Sequence, residues 1–191
     1  MSMNPATHLK NLERIIPGQG FKKVIPGLDI RSIRDSNGSV LINGSTPDWA
    51  ALETSALGIQ IASSATAIGN IVFTVPRDYD QTLDSLRFRF LAQSGGTTDT
   101  PSIDASIYRK RAGSALSADL DPTISAVTTI STTAGSWVEI DADGLSIRPG
   151  DVLTVVFATG GTRGTTDALN LYALEVVYRS DIVYYDKTDR N

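Results

Sequence analysis

Residues 86–92, LRFRFLA, carry an apolar side chain at every second position, with an arginine at two of the positions between. Successive side chains of a β-strand point to opposite faces, so the leucine at 86 and both phenylalanines share one face, and Arg87 and Arg89 share the other. A strand with one buried and one solvated face is typical of antiparallel sheets. The stretch therefore predicts an antiparallel β protein.

Short runs of the same kind continue along the chain, separated by clusters of Gly, Pro, Asp, Ser and Thr. Such spacing indicates many short strands, whereas a parallel sheet would need helices of about ten residues or more between its strands. The predicted strands are residues 57–62, 70–75, 86–92, 103–109, 123–130, 137–140, 151–158 and 169–178. We expect an all-β fold, a jelly-roll-like antiparallel β-sandwich of about eight strands, with an immunoglobulin-like sandwich as the second choice.

Two local patterns refine this prediction. In Arg148-Pro149-Gly150-Asp151, proline and glycine suit the two central positions of a type II turn, so a strand should start immediately afterwards. Residues 103–109 repeat the alternation of residues 86–92. If these two strands are neighbours, Asp104 lies opposite Arg87 or Arg89, an exposed pair that contributes about 0.2–1 kcal/mol.

The first 47 residues have a different character. Asn4 suits a helix N-cap, Pro5 suits the first helical position, and apolar residues recur at spacings of three and four up to Ile16. Ile-Pro-Gly then occurs twice, at 16–18 and 25–27, and the prolines exclude both a long helix and an inner strand. We predict an extended N-terminal arm over residues 1–47 with one short helix at about 5–16, the sandwich over 48–181, and a C-terminal tail over 182–191.

The apolar side chains of the arm and the tail need shelter that these segments cannot build alone. An extended arm of some 25 residues spans at most about 80 to 90 Å, and burial on another chain stabilises by about 25 cal/mol per Å². The alternative is that the arm caps its own sandwich and the tail its own rim. The predicted partner-binding residues are Ile15, Ile16, Pro17, Phe21, Val24, Ile25, Pro26, Leu28, Ile30, Ile182, Val183, Tyr184 and Tyr185.

Residues that suit catalysis or metal binding are few. The chain has no cysteine, and its one histidine, His8, lies in the predicted N-terminal helix. A histidine-assisted serine nucleophile and a cupin-type metal site are therefore not expected. The carboxylates of Glu53, Glu139 and Glu175 show no pattern that pairs them for glycoside cleavage. We predict no enzymatic activity and no cofactor.

Two glycine-containing motifs have both a functional and a plain interpretation. Asp141-Ala142-Asp143-Gly144 resembles a fragment of a calcium loop but lacks the terminal glutamate. Residues 159–166, TGGTRGTT, resemble a phosphate cradle but lack the Gly-Lys-Ser/Thr ending. We predict an acidic turn and a flexible loop, and no metal site.

Charge and hydropathy exclude some partners. The net charge is −4 with acidic and basic residues mixed, which disfavours nucleic acid as a partner. A secretory signal and an apolar run of about 20 residues are both missing, so we expect synthesis in a cytoplasm and no membrane partner. The basic cluster at 109–111 has two interpretations: it joins Arg87 and Arg89 in one positive face that meets an acidic protein, or it serves only solubility. Aromatic residues that suit sugar stacking or core packing are Trp49, Trp137, Tyr108 and Tyr172.

The plan of arm, sandwich and aromatic tail resembles the jelly-roll cement or head-decoration proteins of tailed bacteriophages. The resemblance is carried by the arm at 15–30, IVFTVP at 71–76, the runs at 86–90 and 107–111, and the closing strand at 171–180. It implies a structural virion protein on the capsid surface, a homotrimer at local threefold positions whose arms bind the major capsid protein. It supplies no catalytic residue. The alternative function is a carbohydrate-binding β-sandwich module, fibre- or polysaccharide-associated.

Overall fold

The computed structural model describes residues 21–39, 41, 48–52, 55–63, 65–95, 100–121, 130–162 and 168–181. Within these ranges the chain forms nine β-strands and one 3₁₀ turn, Ile30–Ser32. The strands are β1 (Phe21–Val24), β2 (Asp48–Leu52), β3 (Ala56–Ile61), β4 (Ala67–Thr74), β5 (Leu86–Ser94), β6 (Thr100–Lys110), β7 (Ser136–Asp141), β8 (Val152–Thr162) and β9 (Leu169–Ser180). The all-β prediction is confirmed.

The strands form two antiparallel sheets, as expected of a β-sandwich. The larger sheet has the order β2-β3-β9-β5-β7, with β1 also paired to β9, and the smaller sheet has the order β4-β8-β6. From β4 to β9 every strand lies in the sheet opposite to that of the strand before it. The chain therefore crosses repeatedly between the layers, and their inner faces enclose one core.

Aromatic rings from both sheets meet in that core. Phe88 and Phe90 of β5 are fully buried and contact Phe157 of β8 edge to face, with ring centroids 5.5 and 5.0 Å apart. Phe73 of β4 lies 6.4 Å from Phe88. Such pairs contribute about 0.5–1.5 kcal/mol each beyond the burial of their area. The alternation at residues 86–92 thus faces inward as predicted.

Most predicted strands are confirmed. The strand predicted after the Pro149-Gly150 turn begins at Val152, and Gly150 has the positive φ, 83°, that a type II turn needs. The predicted strand at 123–130 lies outside the described residues except for Ile130, which is buried. Two strands, β1 and β2, were not predicted.

β5 and β6 are not neighbours, so the condition for a pair between Asp104 and an arginine of β5 is not met. β5 pairs with β7 and β9, whereas β6 pairs with β8 in the other sheet. Asp104 lies opposite Ala158, so it meets neither Arg87 nor Arg89. Alternation fixes which face of a strand is buried, but it does not identify the strand next to it.

Residues 25–34, here called the strap, bind the larger sheet to the smaller one. Ile25 donates its backbone N–H to Val176 of β9 (2.9 Å), and Arg34 exchanges two 2.8 Å backbone bonds with Asn70 of β4. Between these contacts Ile30 and Ile33 are buried in the core. The packed domain therefore includes residues on the N-terminal side of Asp48.

A glycine permits the strap to approach β4. Gly69 has φ +145°, and a Cβ atom at this position would meet Ile33 Cγ2 at 2.5 Å and the Arg34 carbonyl oxygen at 2.6 Å. The glycine of the second Ile-Pro-Gly is also explained by its backbone conformation, since Gly27 has φ +75° in the turn between β1 and the 3₁₀ segment.

Candidate attachment site

The first residue of β1 and the last residue of β9 lie at the same corner of the sandwich. β1 and β9 are antiparallel, and their register pairs Phe21 with Ser180 and Lys22 with Arg179. Paired residues of antiparallel strands lie about 5 Å apart. Residues 1–20 and the tail after Asp181 are thus attached to adjacent ends of two neighbouring strands. We call this place the corner.

Asp78 holds the corner together. Its Oδ2 accepts hydrogen bonds from Lys23 Nζ (2.6 Å) and Ser180 Oγ (2.7 Å), and its Oδ1 accepts one from the Tyr178 hydroxyl (3.0 Å). The Asp78 carbonyl oxygen also accepts the backbone N–H of Asp181 at 2.9 Å. One residue thus binds β1, the end of β9 and the first residue beyond it.

The charge of Asp78 is strongly stabilised. Burial by itself raises the pKa of this carboxyl, but the bonds from Lys23, Ser180 and Tyr178 outweigh it and lower the pKa to about 2. Neighbouring Tyr79 is 1% exposed, donates to Asp84 Oδ1 (2.7 Å), and has a raised pKa because of its burial and that carboxylate. The corner is thus held by hydrogen bonds from several side chains to Asp78 and Asp84.

The predicted partner-binding residues fall into two groups. The residues within the described part lie on the chain's own sandwich: Phe21 opens β1, Val24 is 46% exposed, Pro26 is exposed, and Ile25 and Leu28 pack half-buried against the core. Ile30 is 9% exposed and belongs to the core itself. The residues outside the described part are Ile15, Ile16, Pro17, Ile182, Val183, Tyr184 and Tyr185.

The larger sheet presents an outer face, defined as the β5, β7 and β9 side chains that point away from the core. Ion pairs cover much of it: Arg89 lies 2.9 Å from both Glu139 and Glu175, and Arg87 lies 3.3–3.4 Å from Glu139, Asp141 and Asp143. These arginines therefore form no positive patch.

The basic cluster at 109–111 belongs to the other sheet or follows it. Arg111 binds both carboxylate oxygens of Asp151 at 2.7 Å, and Arg109 donates to the Ser146 carbonyl oxygen at 2.9 Å. A single positive face formed with Arg87 and Arg89 is thus wrong.

The four candidate aromatic residues are divided among three places. Trp137 and Tyr172 lie on the outer face, whereas Tyr108 lies on β6 of the smaller sheet. Trp49 of β2 lines a cavity of about 490 Å³ beside the strap, together with Ile30, Leu57 and Tyr172, so Tyr172 borders both this cavity and the outer face. A stacking platform made of all four residues does not exist.

The acidic motif forms a turn, as predicted. Asp141 Oδ1 accepts the Asp143 N–H (2.9 Å), Asp143 Oδ1 accepts the Leu86 N–H (3.0 Å), and Gly144 adopts φ +77°. The carboxylates of Asp141 and Asp143 accept backbone N–H groups and form ion pairs with Arg87. Throughout the described ranges, no three or more His, Cys, Asp or Glu residues are placed to hold a metal ion.

Residues 159–162 of the glycine-rich motif belong to β8, and its remaining residues lie outside the described part. In the part of the chain that the structure describes, no helix is long and apolar enough to cross a membrane.

Comparison of the chain with protein-family models and with curated proteins finds no match. Functional inference therefore starts from the geometry of the corner and the outer face. Sequence reasoning missed Asp78, because its partners lie 55 to 102 residues away along the chain and no local motif connects them.

Proposed function

We propose that this protein is a structural virion protein, a capsid cement or decoration protein that binds the outer shell and reinforces it. In this proposal the N-terminal segment with Ile15, Ile16 and Pro17, and the tail with residues 182–185, bury their apolar side chains on the major capsid protein. The observation that supports it best is the corner, where Phe21 and Ser180, the ends of the two strands to which these segments are attached, are paired.

Two segments anchored about 5 Å apart reach the same partner surface. Once one segment is bound, the other is held close to its site, so its binding is effectively intramolecular and the overall affinity rises without any new contact. The hydrogen bonds around Asp78 hold both anchors to the sandwich. This arrangement suits a protein that must stay attached and performs no chemistry.

Ile30, Ile33 and Leu41 are buried in the chain's own core, so they have no apolar surface to offer to a partner. We therefore assign the partner-binding role of the arm to residues 1–20, which span at most about 70 Å when extended. Val24 and Pro26 are exposed and extend this surface next to the corner.

The proposal includes finer features. We assign the sandwich to the jelly-roll class, which the alternation of β4 to β9 between the sheets supports, with a short helix at about 5–16 in the arm. The assembly is a homotrimer on the capsid surface, made in the host cytoplasm. Its partners are the other two copies and the major capsid protein, and it needs no nucleic acid, membrane or catalytic residue.

Deletions at the corner test the proposal. Removal of residues 1–20, of residues 182–191, or of both should leave the β-type circular dichroism and the unfolding temperature nearly unchanged. In co-sedimentation with capsids of the phage that encodes the protein, each single deletion should weaken binding and the double deletion abolish it.

Leu116→Ser is the matched control, because Leu116 is 60% exposed but lies on the sandwich rather than at the corner. This variant should bind capsids like the unaltered protein. Full binding by the doubly deleted protein would refute the proposal. A monomer in light scattering would refute the trimer.

A further inference from the structure

A row of three apolar side chains crosses the outer face of the larger sheet. Leu91 of β5 is in register with Trp137 of β7 on one side and with Ala173 of β9 on the other. The β5–β9 register shifts between Leu91 and Ala92, which leaves Tyr172 as the extra residue of a β-bulge. We call Trp137, Leu91 and Tyr172 the aromatic row.

Contacts of Tyr172 place its ring on the outer face. Its hydroxyl donates to Gln93 Oε1 at 3.3 Å, and Gln93 follows Leu91 by two positions and so shares its face. Gly135 lies near both Leu91 and Tyr172, since a Cβ atom at Gly135 would be 3.5 Å from Leu91 Cδ1 and 4.0 Å from Tyr172 Cε2. The two aromatic residues are two strand spacings apart, about 10 Å.

The indole ring of Trp137 has one covered face and one open face. The Arg89 guanidinium carbon lies 4.7 Å from the ring centroid and covers one face. Arg89 is itself held at 2.9 Å by Glu139 and Glu175, so the ring rests on a fixed support. Trp137 remains 42% exposed, and the uncovered face of the ring supplies a flat apolar surface.

Charge around the row restricts the ligand. Two guanidinium groups, Arg87 and Arg89, are paired with the carboxylates of Glu139, Asp141, Asp143 and Glu175. This excess of carboxylates repels anions, and the arginines are already engaged. A neutral ligand with many hydroxyl groups fits instead, because the carboxylates have lone pairs left to accept hydroxyl hydrogens.

Amide side chains continue the polar border. Gln60 Nε2 donates to Asn170 Oδ1 at 3.1 Å, and the register places Asn170 opposite Gln93. Amides both donate and accept, which suits sugar hydroxyls. The surface thus combines a flat apolar ring, neutral donors and acceptors, and a carboxylate rim.

We propose that the aromatic row binds a neutral oligosaccharide, with the C–H face of one pyranose ring stacked on Trp137 and a further ring in contact with Tyr172 and Gln93. This activity goes beyond capsid binding and uses another region. Along β9, Ala173 is seven residues from Ser180, about 23 Å at about 3.3 Å per residue. A protein attached by its corner therefore keeps the row available.

The test uses the full-length protein on an array of neutral cello-, xylo-, manno-, chito- and malto-oligosaccharides, with sulfated and uronic acid glycans for comparison. Binding to at least one class is expected. Titration with the bound glycan should change the tryptophan fluorescence of the unaltered protein, and this change should be lost in Trp137→Phe. Trp137→Ala should weaken binding at least tenfold and Tyr172→Ala to a smaller extent.

Tyr108→Ala is the matched control, because this half-buried aromatic residue lies on the opposite sheet. It should bind glycan like the unaltered protein, and all variants should retain β-type circular dichroism. No binding to any neutral glycan, unchanged binding by Trp137→Ala, or equal loss in Tyr108→Ala would overturn the inference. Preference for sulfated or uronic acid glycans would do so as well.

The two proposals fail separately. The protein without residues 1–20 and 182–191 should keep glycan binding, and Trp137→Ala should keep capsid binding. Loss of capsid binding in Trp137→Ala, with no glycan bound by the unaltered protein, would identify the row as a protein contact and overturn the sugar assignment.

Discussion

The two faces of β5 alternate along one strand, yet they are stabilised in different ways. Its inner residues Leu86, Phe88 and Phe90 are fully withdrawn from water. Its outer residues Arg87 and Arg89 keep 33% and 30% of their side chains exposed and are held by ion pairs. Burial of apolar area is the dominant favourable term in folding, whereas exposed ion pairs contribute little. The inner face therefore maintains the fold, and the outer face contributes little to it.

The largest effect is expected on the inner face. Phe90→Ala removes a ring packed 5.0 Å from Phe157 and leaves a cavity between the sheets. We expect a loss of about 3–5 kcal/mol in the free energy of unfolding, measured by denaturant titration. Phe90→Leu should cost clearly less. A loss below about 1 kcal/mol for Phe90→Ala would show that the sheets do not depend on this contact.

The next effect concerns the strap. Gly69→Ala places a methyl group 2.5 Å from Ile33 Cγ2, at a backbone φ that side chains rarely adopt. We expect a loss of about 1–3 kcal/mol in the free energy of unfolding, because overpacking forces the strap away from β4. The control is Gly144→Ala, where φ is also positive but no atom lies within 4 Å. Equal losses would mean that backbone strain acts alone and that the close approach is irrelevant.

Asp78→Asn tests the corner, where an ion pair and hydrogen bonds to a partly buried carboxylate hold the strands together. The folded-state pKa of Asp78 is lowered to about 2, so its contribution is complete above its ordinary value of 3.8 and is lost as the pH falls towards 2. This lowering of the pKa corresponds to about 2 kcal/mol in the free energy of unfolding at pH values above 3.8. Unfolding temperatures measured between pH 2 and 6 should show the two proteins converging at low pH. A constant difference at every pH would contradict this assignment.

The smallest effect is expected on the outer face. Glu175→Gln removes one of two carboxylates that hold Arg89, and both side chains are about one-third exposed. We expect a loss below about 1 kcal/mol in the free energy of unfolding, and still less at high salt. The measurement is denaturant unfolding at low and high salt. A loss above about 2 kcal/mol, independent of salt, would give the outer face a structural role equal to that of the inner face.

The alternation of apolar and polar residues predicted which face of a strand is buried, but it did not predict which strands are paired. The alternation at 86–92 and the turn before Val152 were sufficient to place Phe88, Phe90 and Phe157 inside. The pairing of β5 with β9 joins residues 75 to 92 positions apart, and no local pattern specifies it. β1, FKKV, was missed because it has two adjacent lysines and no alternation, and its strand conformation comes from pairing with β9.

The candidate binding surfaces could not be predicted either, because they depend on strand pairing and register. Composition identified Trp137 and Tyr172, but their common face follows from the register of three strands and a bulge at one residue. Trp49 looked equivalent in sequence and lies beside the strap instead. Ile30 looked like an arm residue because prolines and glycines surround it, whereas a turn built on Gly27 returns it to the core.

The adjacency of Phe21 and Ser180 makes the folded backbone nearly a closed ring. A short peptide joining these two positions would complete that ring, and the chain could then be opened elsewhere, for example at the solvent-exposed turn at Gly113. Such a circular permutant would keep every strand pair and yet carry its two free ends next to β6 of the smaller sheet, on the layer opposite β1 and β9.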